Sequence, residues 1–234
     1  MKIFIYITLI LFSHNSIASL LDYKNVEVKY NIYYKGMDAG DMIFKFEKKE
    51  NNEIEASYVV EGSLLAKISG RSGEIQKATM KYKENEIIPI KYTYKKLGNK
   101  EREISYIYKK TNLGYKVIVN DDDKVYEIKS DKKLYDPISI NILFIINNGF
   151  LKDSYNVVSK GKYRENSYTV NKNISVNINN KDHKGYSVEY NTDRRNYFSV
   201  FGTELENILL YKIIKKKGKT RIKIIFSEIV KIEK

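Results

Sequence analysis

The chain has 234 residues, a formal net charge of +13 and no cysteine. Without cysteine there is no disulfide framework, no thiolate chemistry and no lipidated cysteine, so stability must come from burial alone. The positive charge suits polyanions such as nucleic acid, anionic lipid headgroups or lipopolysaccharide phosphates.

Residues 1–18 read as a cleavable export signal. Met1-Lys2 supplies a positive start, Ile3 to Phe12 an apolar stretch, and Ser16-Ile17-Ala18 a small-x-small cleavage site. That stretch is too short for a stable transmembrane anchor, and no later one is long enough to span a bilayer. The expectation is a single β-rich domain over 19–234, released into the periplasm. Export removes nucleic acid as a physiological partner.

From Val26 onward, hydrophobicity alternates with period two, the mark of half-buried antiparallel strands. Val26, Val28, Tyr30, Ile32 and Tyr34 form one such row. Gly36 and Gly40 bracket a turn, after which Met42, Phe44 and Phe46 alternate with charged residues. Ile54, Ala56, Tyr58 and Val60 follow the Asn51-Asn52 turn. Ser63 to Gly73 breaks the pattern and reads as one helical turn or a loop. Alternation resumes with Ala78, Met80 and Tyr82, then with Ile88, Ile90, Tyr92 and Tyr94. Pro89 cannot donate to a ladder, so its strand is expected at an edge, or the proline at a strand start. Ile104, Tyr106 and Tyr108 lead to Val117, Val119, Tyr126 and Ile128 through short hairpin loops.

Asp136 to Gly149 departs from this pattern and reads as the one internal helix, at about 137–148. Asp136 is suited to accept the free N–H groups of the first turn, and Pro137 suits the first helical position. Gly149 is placed to close the helix in a left-handed conformation. Ile138, Ile142 and Ile145 share one side, while Ile140, Leu143 and Ile146 widen the apolar surface. So greasy a helix must be buried against the sheet or against something the sheet holds. Strands then return at Tyr155 to Val158, Tyr163 to Val170, Ile174 to Ile178 and Tyr186 to Tyr190. Two long strands follow, Asn207 to Lys216 and Thr220 to Ile232. The fold class is all-β: a single large antiparallel meander of roughly a dozen strands, curled into a half-barrel or barrel, with the helix on its concave side.

Reactive groups are scarce. Of two histidines, His14 falls in the signal, which leaves His183 beside a hairpin turn, where a solvated side chain is expected. No Gly-x-Ser-x-Gly elbow or phosphate-binding glycine loop occurs, and Asp121-Asp122-Asp123 lacks the spacing of a calcium loop. No catalytic residue, metal ligand or cofactor is assigned. The aromatic balance, 21 Tyr and 9 Phe with no Trp, is more informative. Tyr92, Tyr94, Tyr106 and Tyr108 fall on the face that carries Ile and Val. With Ile138, Ile142 and Ile145 of the helix they make the candidate ligand-binding set, an amphipathic wall for a lipid-like molecule. The basic runs Arg194-Arg195 and Lys215-Lys216-Lys217 are candidates for a phosphorylated headgroup at an anionic membrane surface. Oligomeric state leaves no signal in the sequence.

The segment Leu134-Tyr135-Asp136-Pro137-Ile138-Ser139, after a Tyr-rich strand reaching Tyr34-Lys35-Gly36, resembles exported Gram-negative proteins of domain of unknown function 3108. In that family a Leu-Asp-Pro-Leu-Ser-like segment opens a helix after a β meander. Asn196 to Leu210 departs from it in lacking an aromatic–proline pair. The resemblance implies an envelope location and a β-rich fold, with no established activity and no site residues to transfer. Two functional readings follow: a periplasmic binding module for an amphipathic ligand, and an envelope interaction protein docking through its basic face. A hydrolase stands third.

Overall fold

A computed structural model describes residues 19–234 except Ser69, Lys100, Phe150, Leu151 and Asp153. The proposed signal, residues 1–18, lies outside the described residues. The first half contains β1 (Asn25–Tyr34), β2 (Met37–Lys48), β3 (Glu53–Gly62), α1 (Leu64–Ile68), β4 (Arg71–Lys83) and β5 (Glu86–Gly98). It continues with β6 (Arg102–Thr111), β7 (Gly114–Asp121), β8 (Lys124–Ser130), β9 (Leu134–Tyr135) and α2 (Pro137–Ile146). The second half contains β10 (Ser154–Ser159), β11 (Lys162–Ile178), β12 (Lys181–Thr192), β13 (Arg195–Gly202), β14 (Ile208–Lys216) and β15 (Lys219–Glu233).

All fifteen strands belong to one sheet, ordered β8-β7-β6-β5-β4-β3-β2-β1-β15-β14-β13-β12-β11-β10-β9. Two meanders therefore meet where the first strand pairs antiparallel with the last, Asn25 opposite Glu233 and Tyr34 opposite Ile222. The sheet curls until its free edges, β8 and β9, face each other across a seam, giving a nearly closed barrel. Side chains rather than a ladder bridge that seam. The Tyr126 hydroxyl donates to the Gly161 carbonyl at 2.8 Å, and Gly161 N–H donates to the Tyr106 hydroxyl at 2.8 Å. Lys133 reaches Glu86 at 2.8 Å and Lys132 reaches Glu165 at 3.2 Å.

Fifteen strands stand among the described residues, where roughly a dozen were expected: β9 and β13 (Arg195–Gly202) are additional, and two of the expected runs merge. Leu134-Tyr135 is a two-residue parallel strand, too short to carry a period. Tyr163–Val170 and Ile174–Ile178 are one strand, β11, with a bulge between Asn171 and Ile174 and Asn173 at φ 58°. Pro89 sits within β5, which is not an edge strand. It faces Met80 at a bulge of the β4–β5 ladder, and the β5–β6 pairing begins only at Lys91. The missing N–H is thus placed where no partner strand asks for it. The same bulge shifts the alternation: Ile87 is buried while Ile88 is 39% exposed, so Ile88 and Tyr92 do not share a face. Gly40 lies inside β2 rather than in a turn. At φ 120° any Cβ there would strike the Glu61 carbonyl.

Helix α2 fills the lower half of the barrel. Asp136 caps it as expected, its Oδ1 accepting from Ile138 N–H and Ser139 N–H, each at 2.9 Å. Its Oδ2 lies 2.5 Å from the Ser139 hydroxyl. Ile138, Ile140, Ile142, Leu143, Phe144 and Ile145 are all buried, so apolar contacts surround the helix instead of lining one stripe. Phe144 packs edge-on against Tyr168 and Phe201, and the Tyr186 hydroxyl donates to its carbonyl at 2.7 Å. Gly149 at φ 70° presses against the Tyr186 ring, where a Cβ would come within 2.8 Å.

Two stability predictions follow from this packing. Ile142→Ala removes a fully buried side chain and should cost about 2–5 kcal/mol in urea unfolding, whereas the exposed Val125→Ala should stay within about 0.5 kcal/mol. A smaller loss at Ile142 than at Val125 would contradict the helix's place in the core. Burial raises the Asp136 carboxyl from 3.8 to about 6 against the opposing pull of its hydrogen bonds. A raised folded pKa means that this stabilisation is present below about pH 4 and lost as pH rises through about 6, by roughly 3 kcal/mol in total. Asp136→Asn keeps the Oδ1 acceptor and should lack that fall in Tm between pH 4 and 7. An unchanged pH profile in the variant would contradict it.

Candidate functional site

The sequence-derived tyrosines face inward, but they are packed. Tyr106 stacks on Tyr92 with ring centres 5.1 Å apart and meets Tyr108 edge-on. The Tyr92 hydroxyl donates to Gln76 at 2.9 Å and the Tyr94 hydroxyl to Glu74 at 3.4 Å. The Tyr108 hydroxyl is buried without a partner. Burial pushes the phenols of Tyr92, Tyr106 and Tyr108 up, and that of Tyr94 to about 12, so all four stay protonated at neutral pH. Ile138, Ile142 and Ile145 lie in the same core. The cavity that touches the helix is lined instead by Leu143 and Asn147, with Asn85, Glu86, Tyr135, Lys152 and Tyr155. It encloses about 370 Å³ at the lower end, where Lys133 holds the Glu86 carboxyl below its usual range.

His183 departs from expectation. It is 5% exposed on β12, opposite Val176, and not solvated beside a turn. Among the described residues no three His, Cys, Asp or Glu side chains cluster as metal ligands.

The upper half of the barrel is built differently. Strand alternation continues the interior face of β12 to β15 through Tyr190, Tyr197, Lys212, Ile214, Ile222 and Ile224, which register pairs across neighbouring strands. These side chains are half-buried, unlike their counterparts around α2. An aromatic ribbon connects the two halves. Ring centres step from Phe144 to Tyr168 at 5.1 Å, to Tyr190 at 5.1 Å and to Tyr197 at 4.3 Å, the last pair parallel within 2°.

Above the ribbon a cavity of about 270 Å³ opens at the mouth, lined by Tyr34, Ile214 and Ile222 and by the cations Arg195, Lys216 and Arg221. Among the described residues none of these three cations joins an ion pair, and the Arg221 Nε is buried without a partner. Lys212 lies two residues deeper than Ile214 on the same face, roughly 7 Å down the strand. Burial alone pulls its ammonium down to about 8. The site therefore offers uncompensated positive charge above an aromatic and aliphatic wall. Arg195 and Lys216 belong to the two basic runs that the sequence offered for a phosphorylated headgroup. Arg221 and Lys212 carried no signal, because their convergence depends on the β13–β14–β15 register.

No family model matches the chain, and no curated protein matches it. Among solved structures, the chain is similar to the crystal structure of a beta-barrel-like protein of domain of unknown function 1849 from Brucella abortus. The two share 10% identity with a TM-score of 0.55, over 90% of this chain and 98% of that one. The likeness establishes a barrel-like fold. The resemblance to domain of unknown function 3108 draws no support from these comparisons.

Proposed function

We propose that the protein is a non-enzymatic binding module of the cell envelope, exported to the periplasm, which holds an amphipathic anion in the upper barrel. The observation that carries this reading is the mouth cavity, where Arg195, Lys216 and Arg221 meet without carboxylate partners above Ile214 and Ile222. The Arg221 Nε is buried there without a partner, and an anionic headgroup would supply one. At about 270 Å³ the cavity falls just below the range for whole small-molecule ligands, which fits one end of a longer molecule. The remainder would run along the stacked rings of Tyr197 and Tyr190. Helix α2 serves as the floor of this site. This reading revises the candidate set, since the helix and Tyr92, Tyr94, Tyr106 and Tyr108 support the site from below rather than line its open part. A hydrolase reading gains nothing here, for the mouth residues include no nucleophile beside a base.

Titration with a dansylated fatty acid tests the proposal. The wild type should bind it, and the double variant Arg195→Glu/Lys216→Glu should bind at least about tenfold more weakly, a change of about 1.4 kcal/mol. Both side chains are exposed, so the unfolding midpoint should not move. Equal affinity in the two proteins would overturn the assignment of the headgroup to the mouth.

A further inference from the structure

One apolar patch has no role in the ligand site. Helix α1 carries Leu64, Leu65 and Ile68 at 74%, 68% and 74% exposure, and Met37 at the start of β2 is 61% exposed. Monomeric proteins rarely display several large apolar side chains together without a use for them. The segment is held firmly in this exposed position. Ser63 N–H donates to the Ala39 carbonyl at 3.0 Å, Lys67 N–H to the Ser63 carbonyl at 2.9 Å, and Gly40 faces Gly62 across the β2–β3 ladder.

Topology places this patch on the rim of the mouth. Because adjacent strands are antiparallel, α1 and the β1–β2, β14–β15 and β12–β13 turns all fall at the same end of the barrel. In rim order they are consecutive, and Lys35 N–H donates to the Arg221 carbonyl at 2.9 Å, joining two of them directly. Exposed Lys35, Lys67, Arg194, Lys217 and Lys219 decorate this sector, against Asp38, Glu61 and Asp193. The β7–β8 turn on the far side of the rim carries Asp122 and Asp123 instead. Apolar side chains at the tip and cations beside them match the two layers of an anionic bilayer surface, acyl chains beneath phosphates.

We infer that this sector of the rim is a membrane-docking surface: Leu64, Leu65, Ile68 and Met37 enter the outer acyl region of an anionic bilayer while the flanking lysines rest on its phosphates. Docked in this way, the mouth cavity opens towards the lipid that surrounds it. The inference stands on α1 and the rim charges, not on the ligand reading.

Co-sedimentation with sucrose-loaded vesicles tests it, using phosphatidylcholine alone and phosphatidylcholine mixed with phosphatidylglycerol. The wild type should pellet with the anionic vesicles, less so at high salt, and only weakly with the neutral ones. Leu64→Glu/Leu65→Glu/Ile68→Glu should reduce anionic partitioning at least about tenfold while leaving dansyl fatty acid binding unchanged. Leu113 is 94% exposed on the β6–β7 turn at the opposite end, so Leu113→Glu should leave vesicle binding intact. The inference fails if the wild type ignores anionic vesicles, or if the rim and Leu113 variants behave alike. It also fails if light scattering shows a wild-type dimer that the rim variant splits, because the patch would then be a contact between two copies. Failure of the wild type to bind dansyl fatty acid would overturn the ligand reading and leave the vesicle readout as an independent result.

Discussion

Burial of α2 is the constraint on which the rest of the architecture depends. Its buried faces leave it no solvated side, and its first turn needs acceptors that water cannot supply inside a barrel. Asp136 meets that need from a fully buried position, a compromise in which hydrogen bonds hold the carboxylate and desolvation opposes them. Around this helix the strands have to curl, because a flat sheet covers only one face of it. Pairing of the first strand with the last then brings the two meanders together, and the seam residues Tyr106, Tyr126, Lys132 and Lys133 do the remaining closure.

That arrangement divides the interior. Below, Ile138, Ile142, Ile145 and Phe144 pack with Tyr92, Tyr106, Tyr186 and Phe201 in one hydrophobic core. Above, the helix gives out, and side chains of the same alternating rows become half-buried. Positive charge is tolerated there because solvent still reaches it. Lys212 marks the transition, deep enough for burial to draw its pKa down and still on the face that leads to the mouth. The functional proposal follows from this division, with a packed helix below and a cationic mouth above.

Much of this was legible in the chain. Period-two rows such as Val26-Val28-Tyr30 and Met42-Phe44-Phe46 give their strands directly, since burial on one face imposes the alternation. The helix announced itself through Asp136-Pro137 and its isoleucines, because capping chemistry is local. What escaped was non-local or too short to carry a pattern. Leu134-Tyr135 is a strand only because Asn156 and Val157 lie beside it. The bulge opposite Pro89 reverses the sense of Ile87 and Ile88, a change no alternation count can see. His183 looked solvated beside its hairpin turn, yet the folded barrel leaves it only 5% exposed. The mouth escaped for the same reason, since Arg195, Lys216 and Arg221 become one site only through pairing across three strands.

The central claim is that the upper barrel holds an anionic amphiphile. Native mass spectrometry of protein purified without detergent, followed by organic extraction, tests it most directly. The account predicts a stoichiometric adduct that is released into the organic phase, carries an acidic headgroup, and is absent from Arg195→Glu/Lys216→Glu. A clean apo mass that stays unchanged when fatty acid or acidic phospholipid is added would contradict it.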